Sequence, residues 1–292
     1  MTEYSYFPGC SAKGIHRDYD DAARLVSKKL GINLVELEDW NCCGATSYMS
    51  VHELHAHLLS ARNLALAGKA GRELVTVCNA CLTTLNKTNS YLAANPSFKD
   101  KINKTLALAG LQYDFVKVRH LLDVIINDVG KESVKSKVVS KLDGLKVAPY
   151  YGCQIRGPQG NFDDPDFPED HLFSWLGAKV VPFPFKAMCC GGMLMVTNED
   201  IGLKLVKNLL ECALANDAEC IVTACPLCQT NIEAYQGRIN KKFKTKLFIP
   251  IISFTQLMRV AFGLSAREHG LGLVLGKGLG SADKVLSKYM KG

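Results

Sequence analysis

Leu74-Val75-Thr76-Val77-Cys78-Asn79-Ala80-Cys81 returns 147 residues later as Ile221-Val222-Thr223-Ala224-Cys225-Pro226-Leu227-Cys228. Each copy opens with a short β-branched run, the signature of a buried strand. A CxxC placed directly after that run puts two thiols where a strand gives way to the next element. Pro226 suits the first turn of a helix, where its missing N–H is no loss.

The repeat extends upstream of both copies. A Cys-Cys-Gly triplet, Cys42-Cys43-Gly44 or Cys189-Cys190-Gly191, precedes each CxxC with 34 residues between them. Before the triplets stand Cys10 and Cys153, at gaps of 31 and 35 residues, flanked by Tyr6-Phe7-Pro8-Gly9 and Tyr150-Tyr151-Gly152. The offset between copies is 143 residues at the first cysteine and 147 at the others, and ten of the twelve cysteines fall in the pattern. Two homologous halves follow, residues 1–144 and 145–262, with a C-terminal tail at 263–292 that is glycine-rich from Gly270 to Gly280.

Within each half, short β-branched runs alternate with amphipathic stretches. Ile32–Val35, Leu74–Val77, Lys146–Ala148, Lys179–Val181 and Glu219–Thr223 read as strands, and 18–30, 51–67 and 200–215 as helices, the last capped by Asn198. This alternation predicts an α/β fold of two pseudo-symmetric, Rossmann-like halves with parallel sheets. The stretch 96–142 reads as a mostly helical insert in the first half. In such sheets ligands gather at the carboxyl ends of the strands. Every cysteine of the pattern follows a predicted strand, so the five of each half are expected to meet at one sheet edge.

Composition sets the class. The chain has 292 residues, 48% hydrophobic and 22% charged, room for two domains of ordinary size. It has no run of about 18 apolar residues and no basic-then-apolar leader, so a cytoplasmic protein without a membrane span is expected. Cysteines in a reducing compartment serve as metal ligands or redox groups rather than disulfides. The net charge of +7 is scattered lysine, densest at Lys241–Lys246, which reads as a solvated helix end; no nucleic-acid-binding motif accompanies it.

Zinc and cubane iron–sulfur sites each take four ligands, and each half offers five thiols. Adjacent cysteines are awkward as two terminal ligands of one metal, whereas they fit readily around a multinuclear site. Gly44 and Gly191-Gly192 permit a close backbone approach. Spacing therefore favours a multinuclear iron site, with two structural zinc sites, each leaving a spare cysteine, as the alternative.

The double pattern resembles the CCG (cysteine-rich domain) family over roughly residues 4–262, and within it the heterodisulfide reductase B-type branch. The resemblance implies two noncubane [4Fe-4S] clusters. Cys10, Cys42, Cys43, Cys78 and Cys81 would hold one, and Cys153, Cys189, Cys190, Cys225 and Cys228 the other; one cluster plus zinc is the alternative. The implied reaction is two-electron reduction of the coenzyme M–coenzyme B disulfide to two thiols. The implied partners are the C-type ferredoxin-like iron–sulfur subunit, the A-type flavin subunit, and upstream a hydrogenase or formate dehydrogenase. No dinucleotide fingerprint follows a clear strand, so a flavin or nicotinamide sits elsewhere. The family also contains members of sulfur-oxidation and lactate/glycolate-oxidation complexes.

Such a substrate carries sulfonate, phosphate and carboxylate groups. Lys13, Arg156 and Lys186, close to the cysteine loops, with His16 and Arg17 near Lys13, are the expected anion contacts. Cys212 and Cys220 have no counterparts in the first half and read as core residues. His52, His55 and His57 read as a partly exposed helix face.

Overall fold

The computed structural model describes residues 2–45, 51–155, 169–264 and 285–289. Its elements run β1 (Thr2–Phe7), α1 (Gly9–Lys13), α2 (Arg17–Lys29), β2 (Ile32–Glu36), α3 (Glu53–Lys69), β3 (Leu74–Thr76), α4 (Asn79–Ala94), α5 (Pro96–Ala107) and β4 (Val118–His120). The first half closes with α6 (Leu121–Val124), a π-helical turn over Ile125–Val129, and α7 (Gly130–Lys137). The second half runs β5 (Lys146–Tyr150), α8 (Asp170–Trp175), β6 (Lys179–Val180), α9 (Leu194–Thr197), α10 (Glu199–Ala215), β7 (Cys220–Thr223), α11 (Pro226–Ala234), α12 (Gln236–Phe243), β8 (Ile251–Ser253) and α13 (Phe254–Ala261).

The strands form two four-stranded parallel sheets of one topology, β2-β1-β3-β4 and β6-β5-β7-β8. Equivalent residues share register: Phe7 lies opposite Thr76, and Tyr150 opposite Thr223. The inner strands β3, β5 and β7 are near-continuous apolar runs because helices cover both faces of a parallel sheet. The stretch 96–142 is largely helical, as its pattern predicts. It also contains β4, a strand inside the stretch read as helical, whose place in the sheet matches that of β8.

The halves are joined by a shared core. Tyr4, Tyr6, Val75 and Val77 of the first sheet and Val147, Val222 and Ile252 of the second belong to one apolar cluster with the helices between them. Within it α2 packs on α13, and Tyr19 meets Phe254 edge to face at 6.0 Å. Ser253 and Gln256 form a capping box that starts α13 one residue after β8 ends. Asn198 caps α10, accepting from the Ile201 N–H at 3.3 Å. No described helix is long and apolar enough to cross a membrane. The tail beyond Leu264 lies outside the described residues except for 285–289, which include a short 3-10 turn, Ser287–Tyr289.

Candidate metal centre

All ten cysteines of the repeat follow strands, in the loops and helix starts that come after their carboxyl ends. Cys78 and Cys225 are the residues before α4 and α11, and Cys81 and Cys228 sit in the first turns of those helices. A threonine inside each strand fixes the approach: the Cys78 N–H donates to Thr76 Oγ1 at 3.3 Å and the Cys225 N–H to Thr223 Oγ1 at 3.2 Å. Cys10 lies three residues beyond the end of β1. Gly9 has a left-handed backbone, and the chain turns there into α1, which carries Cys10.

The glycines of the motif have physical reasons. Gly9 and Gly152 adopt φ of +77° and +71°, and a Cβ on them would lie 3.0 Å from Cys81 Sγ and 3.2 Å from Cys228 Sγ. Gly44 and Gly191, at φ of +83° and +75°, turn their N–H groups back onto Cys42 Sγ at 3.5 Å and Cys189 Sγ at 3.3 Å. The second cysteine of each pair is held through its carbonyl, by the Ser60 hydroxyl on Cys43 and the Asn231 amide on Cys190, both at 2.7 Å.

Sulfur approaches sulfur within each set and between the sets. Cys43 and Cys81 are 3.3 Å apart and Cys190 and Cys228 3.5 Å, while Cys78 and Cys225, one from each half, are 3.9 Å apart. All twelve cysteines are free thiols; Cys10, Cys42 and Cys189 are exposed, Cys153 is half-buried, and the other six of the repeat are buried. All five cysteines of the second half border one cleft of about 490 Å³, to which the first half contributes Ala45, Asn79 and Ala80. Among the described residues no three Cys, His, Asp or Glu side chains close on a single point as ligands of a lone ion. The second set is spread around a cleft instead.

Packed thiols divide into proton holders and thiolates. Hydrogen bonds from Cys10 and Cys43, with the Gly44 N–H, pull Cys42 down to about 2. A hydrogen bond from Cys153, with the Gly191 N–H, pulls Cys189 down to about 6. Cys10 and Cys153 are pushed up as the partners that keep the proton, and Cys43 rises to about 12 beside Cys42. The buried pair between the halves is unequal. Cys225 is lowered by Cys228 and Cys78 and by the Asn79 and Cys228 N–H groups, and Cys78 is raised against it.

An all-sulfur donor set in closely spaced pairs selects soft metals, iron–sulfur clusters or zinc over magnesium or calcium. With its thiolate character and its bordering cleft, the second set fits an iron–sulfur group in donor number and donor chemistry.

Two of the basic residues expected to contact anions, Lys13 and Lys186, make ion pairs within the chain. Lys13 pairs with Glu36 at 2.8 Å and Asp20 at 3.4 Å, and Lys186 with Asp170 at 2.5 Å. Neither borders the cleft. The Lys186 carbonyl does hold the Cys153 loop, accepting from the Tyr151 and Gly152 N–H groups at 2.8 and 2.9 Å. Arg156 lies outside the described residues. Arg17 donates to the Lys13 carbonyl at 3.2 Å, and His16 is buried against Thr230. Cys220 is fully buried and Cys212 only half-buried. His52 and His55 are exposed and stacked at 4.4 Å, whereas His57 turns inward to Thr88 at 2.9 Å. Asn79, Thr83 and His120, which reach from the first half into the second, carry no motif that would have revealed them.

The model of the cysteine-rich domain, CCG, matches residues 4–86 and 147–233. The "8-methylmenaquinol:fumarate reductase membrane anchor subunit" of Wolinella succinogenes is 35% identical over 274 residues, 92% of this chain and 95% of that protein. The B subunit of a ferredoxin/F(420)H(2)-dependent CoB-CoM heterodisulfide reductase from Methanosarcina acetivorans is 32% identical, covering 93% of each chain. A protein of Archaeoglobus profundus, named for its likeness to the B subunit of heterodisulfide reductase, is 33% identical over 92% of this chain and 93% of that one. Among solved structures, a hypothetical protein from Helicobacter pylori shares the fold at a TM-score of 0.73 and 18% identity over 90% of this chain, which spans about half (49%) of that one. With both domain copies matched and the same sheet order in each, the chain belongs to the CCG cysteine-rich-domain family.

Proposed function

We propose that the chain is the disulfide-reducing component of a heterodisulfide-reductase-type complex, holding a noncubane [4Fe-4S] cluster in each half and reducing the coenzyme M–coenzyme B disulfide to its two thiols. The observation that carries the reading is the meeting of the two thiolate sets, with Cys78 and Cys225 3.9 Å apart across the junction of the halves. A disulfide offers two nearly equivalent sulfurs, and a duplicated site meeting at one junction offers each of them a separate metal. The relatives named as heterodisulfide reductase B subunits, at 31–33% identity over most of their length, add support.

Cys10, Cys42, Cys43, Cys78 and Cys81 hold one cluster and Cys153, Cys189, Cys190, Cys225 and Cys228 the other. Each cluster, when bound, supplies Lewis-acidic iron and one-electron redox chemistry. The protein's part is positioning and electrostatics. The Gly44 and Gly191 N–H groups stabilise thiolate at Cys42 and Cys189. The buried halves of the two sets keep water from the junction, and the cleft beside the second set gives the substrate its approach. Electrons arrive from two further subunits, one ferredoxin-like with iron–sulfur clusters and one flavin-bearing, fed by a hydrogenase or formate dehydrogenase, in the cytoplasm.

Anaerobic metal and sulfide analysis tests the reading: about eight irons per chain are expected from two four-iron clusters. Disulfide-dependent reoxidation of the reduced protein should be lost in Cys189→Ala. A protein that carries zinc in place of iron and still works refutes it. A second reading is favoured by the Wolinella succinogenes relative at 35% identity, whose name places it in a quinol:fumarate reductase. In that reading the same clusters relay electrons toward fumarate. Reduced protein that is reoxidised by the disulfide alone excludes the relay, and one indifferent to the disulfide favours it.

A further inference from the structure

The cysteine that begins each set is fastened by the opposite half. Asn79 Nδ2 donates to the Tyr151 carbonyl at 2.5 Å and Thr83 Oγ1 to the Gln154 carbonyl at 2.8 Å. These two carbonyls bracket Gly152-Cys153, so two side chains from the first half's CxxC helix, α4, clamp the first cysteine of the second set from both sides. The reverse contact uses the pseudo-equivalent residue. Thr230 stands five positions after Cys225, as Thr83 stands five after Cys78. It lies on α11, and its Oγ1 is 2.5 Å from His16 Nε2.

The proton on that bond can be placed. The Thr230 hydroxyl donates to the Pro226 carbonyl at 3.0 Å, so it accepts from His16. Burial pushes His16 down to about 4, so the ring is neutral and carries its proton on Nε2. His16 in turn closes the turn that carries Cys10, for its N–H donates to the Ser11 carbonyl at 3.0 Å and the Gly14 N–H to the Cys10 carbonyl at 2.9 Å.

We propose that the two thiolate sets are assembled in trans, with Thr83 and Asn79 positioning Cys153 and Thr230, through His16, positioning Cys10. Neither half then completes its set without the other, and the metal sites form as one unit. A duplicated chain that retains both copies at full ligand count has this physical reason to do so: the CxxC helix of one copy is the scaffold of the other copy's loop.

The positioning itself is tested on the metal-free full chain by iodoacetamide alkylation, followed cysteine by cysteine with mass spectrometry. Thr83→Val, near-isosteric but without the hydroxyl, should speed alkylation of Cys153 about fivefold, the factor one lost hydrogen bond is worth, and leave Cys10 within about twofold. Thr230→Val should do the reverse. Thr83→Ser and Thr230→Ser should behave as the parent, and Asn79→Ser should repeat the Cys153 effect from an independent bond if Thr83→Val folds poorly. Substitutions that speed only cysteines of their own half, or none, overturn the proposal.

The metal consequence rests on the cysteines being ligands and has its own readout. In a Cys42→Ser background, with the second set intact, anaerobic reconstitution with ferrous iron and sulfide should load about half as much iron into Thr83→Val as into its parent, with Thr83→Ser restoring it. Crossed labelling without any iron in the parent refutes the cluster reading and leaves the positioning standing. Iron binding with uncrossed labelling refutes the positioning alone.

Discussion

Three glycines separate the cost of backbone strain from the cost of touching a buried cysteine sulfur. Gly9, Gly31 and Gly152 have φ of +77°, +80° and +71°, so alanine at any of them pays a similar left-handed penalty, about 1–2 kcal/mol. Their surroundings differ. A Cβ at position 31 meets nothing within 4 Å, whereas one at 9 or 152 lies 3.0 Å from Cys81 Sγ or 3.2 Å from Cys228 Sγ. Those sulfurs are buried and bonded to Cys43 and Cys190, so they cannot swing into solvent. Overpacking of this kind adds at least about 1 kcal/mol. Near 2 °C of Tm is lost per kcal/mol in a chain of this size. Thermal unfolding of the metal-free protein, which keeps ligand binding out of the comparison, should therefore place Gly31→Ala about 2–4 °C below the parent. Gly9→Ala and Gly152→Ala should each fall about 2 °C further. If they melt with Gly31→Ala, the glycines answer only to backbone conformation and the close approach to the sulfurs is wrong.

Tyr6 is fully buried and its hydroxyl donates to Asp20 Oδ1 at 2.6 Å, so Tyr6→Phe should lower stability by about 2 kcal/mol in urea unfolding, the worth of a bond to a charged group. Burial raises Asp18 from 3.8 to about 6 and Glu233 from 4.5 to about 8. The folded state therefore holds protons that the unfolded chain has already released. Stability present at low pH declines as pH rises from about 4 to 6 through Asp18 and on toward 8 through Glu233. Asp18→Asn and Glu233→Gln should each flatten that decline, by about 1–3 kcal/mol, in denaturation midpoints measured across the range. Cys212→Ser, at a thiol that does not border the cleft, should leave iron content unchanged, whereas Cys189→Ser should lower it by about half.

The parallel sheets, the strand-to-helix switch at each CxxC and the convergence of thiols at one edge follow from features written locally. These are β-branched runs, a proline at N1 and cysteines that come after strands. β4 could not be read the same way. Val118–His120 lies within the stretch 96–142 that reads as helical, and it is a strand because β3 offers it a parallel edge. Lys13 and Lys186 looked available for anions from their proximity to Cys10 and Cys189. Sequence distance does not show that β2 brings Glu36 to Lys13 or that Asp170 reaches Lys186. Asn79, Thr83 and His120 were illegible for the same reason. Each bonds a carbonyl of the other half, and a carbonyl acceptor leaves no side-chain signature at its own position.

The duplication is also broken at one informative place. The residue after the first cysteine of the CxxC is Asn79 in one copy and Pro226 in the other. The Asn79 N–H faces Cys225 across the junction and lowers it, while a proline has no N–H to return to Cys78. His120 ties the halves at the same place: its Nδ1 accepts from the Leu122 N–H at 3.1 Å, so its Nε2 carries the proton and donates to the Ala224 carbonyl at 3.1 Å. Donors aimed at a sulfur stabilise its negative charge, and they raise the electron affinity of any metal it binds. Two sets alike in ligand number therefore differ in electrostatics where they meet. The junction has a polarity set by one amide that is present and one that is missing, and it favours negative charge on the Cys225 side.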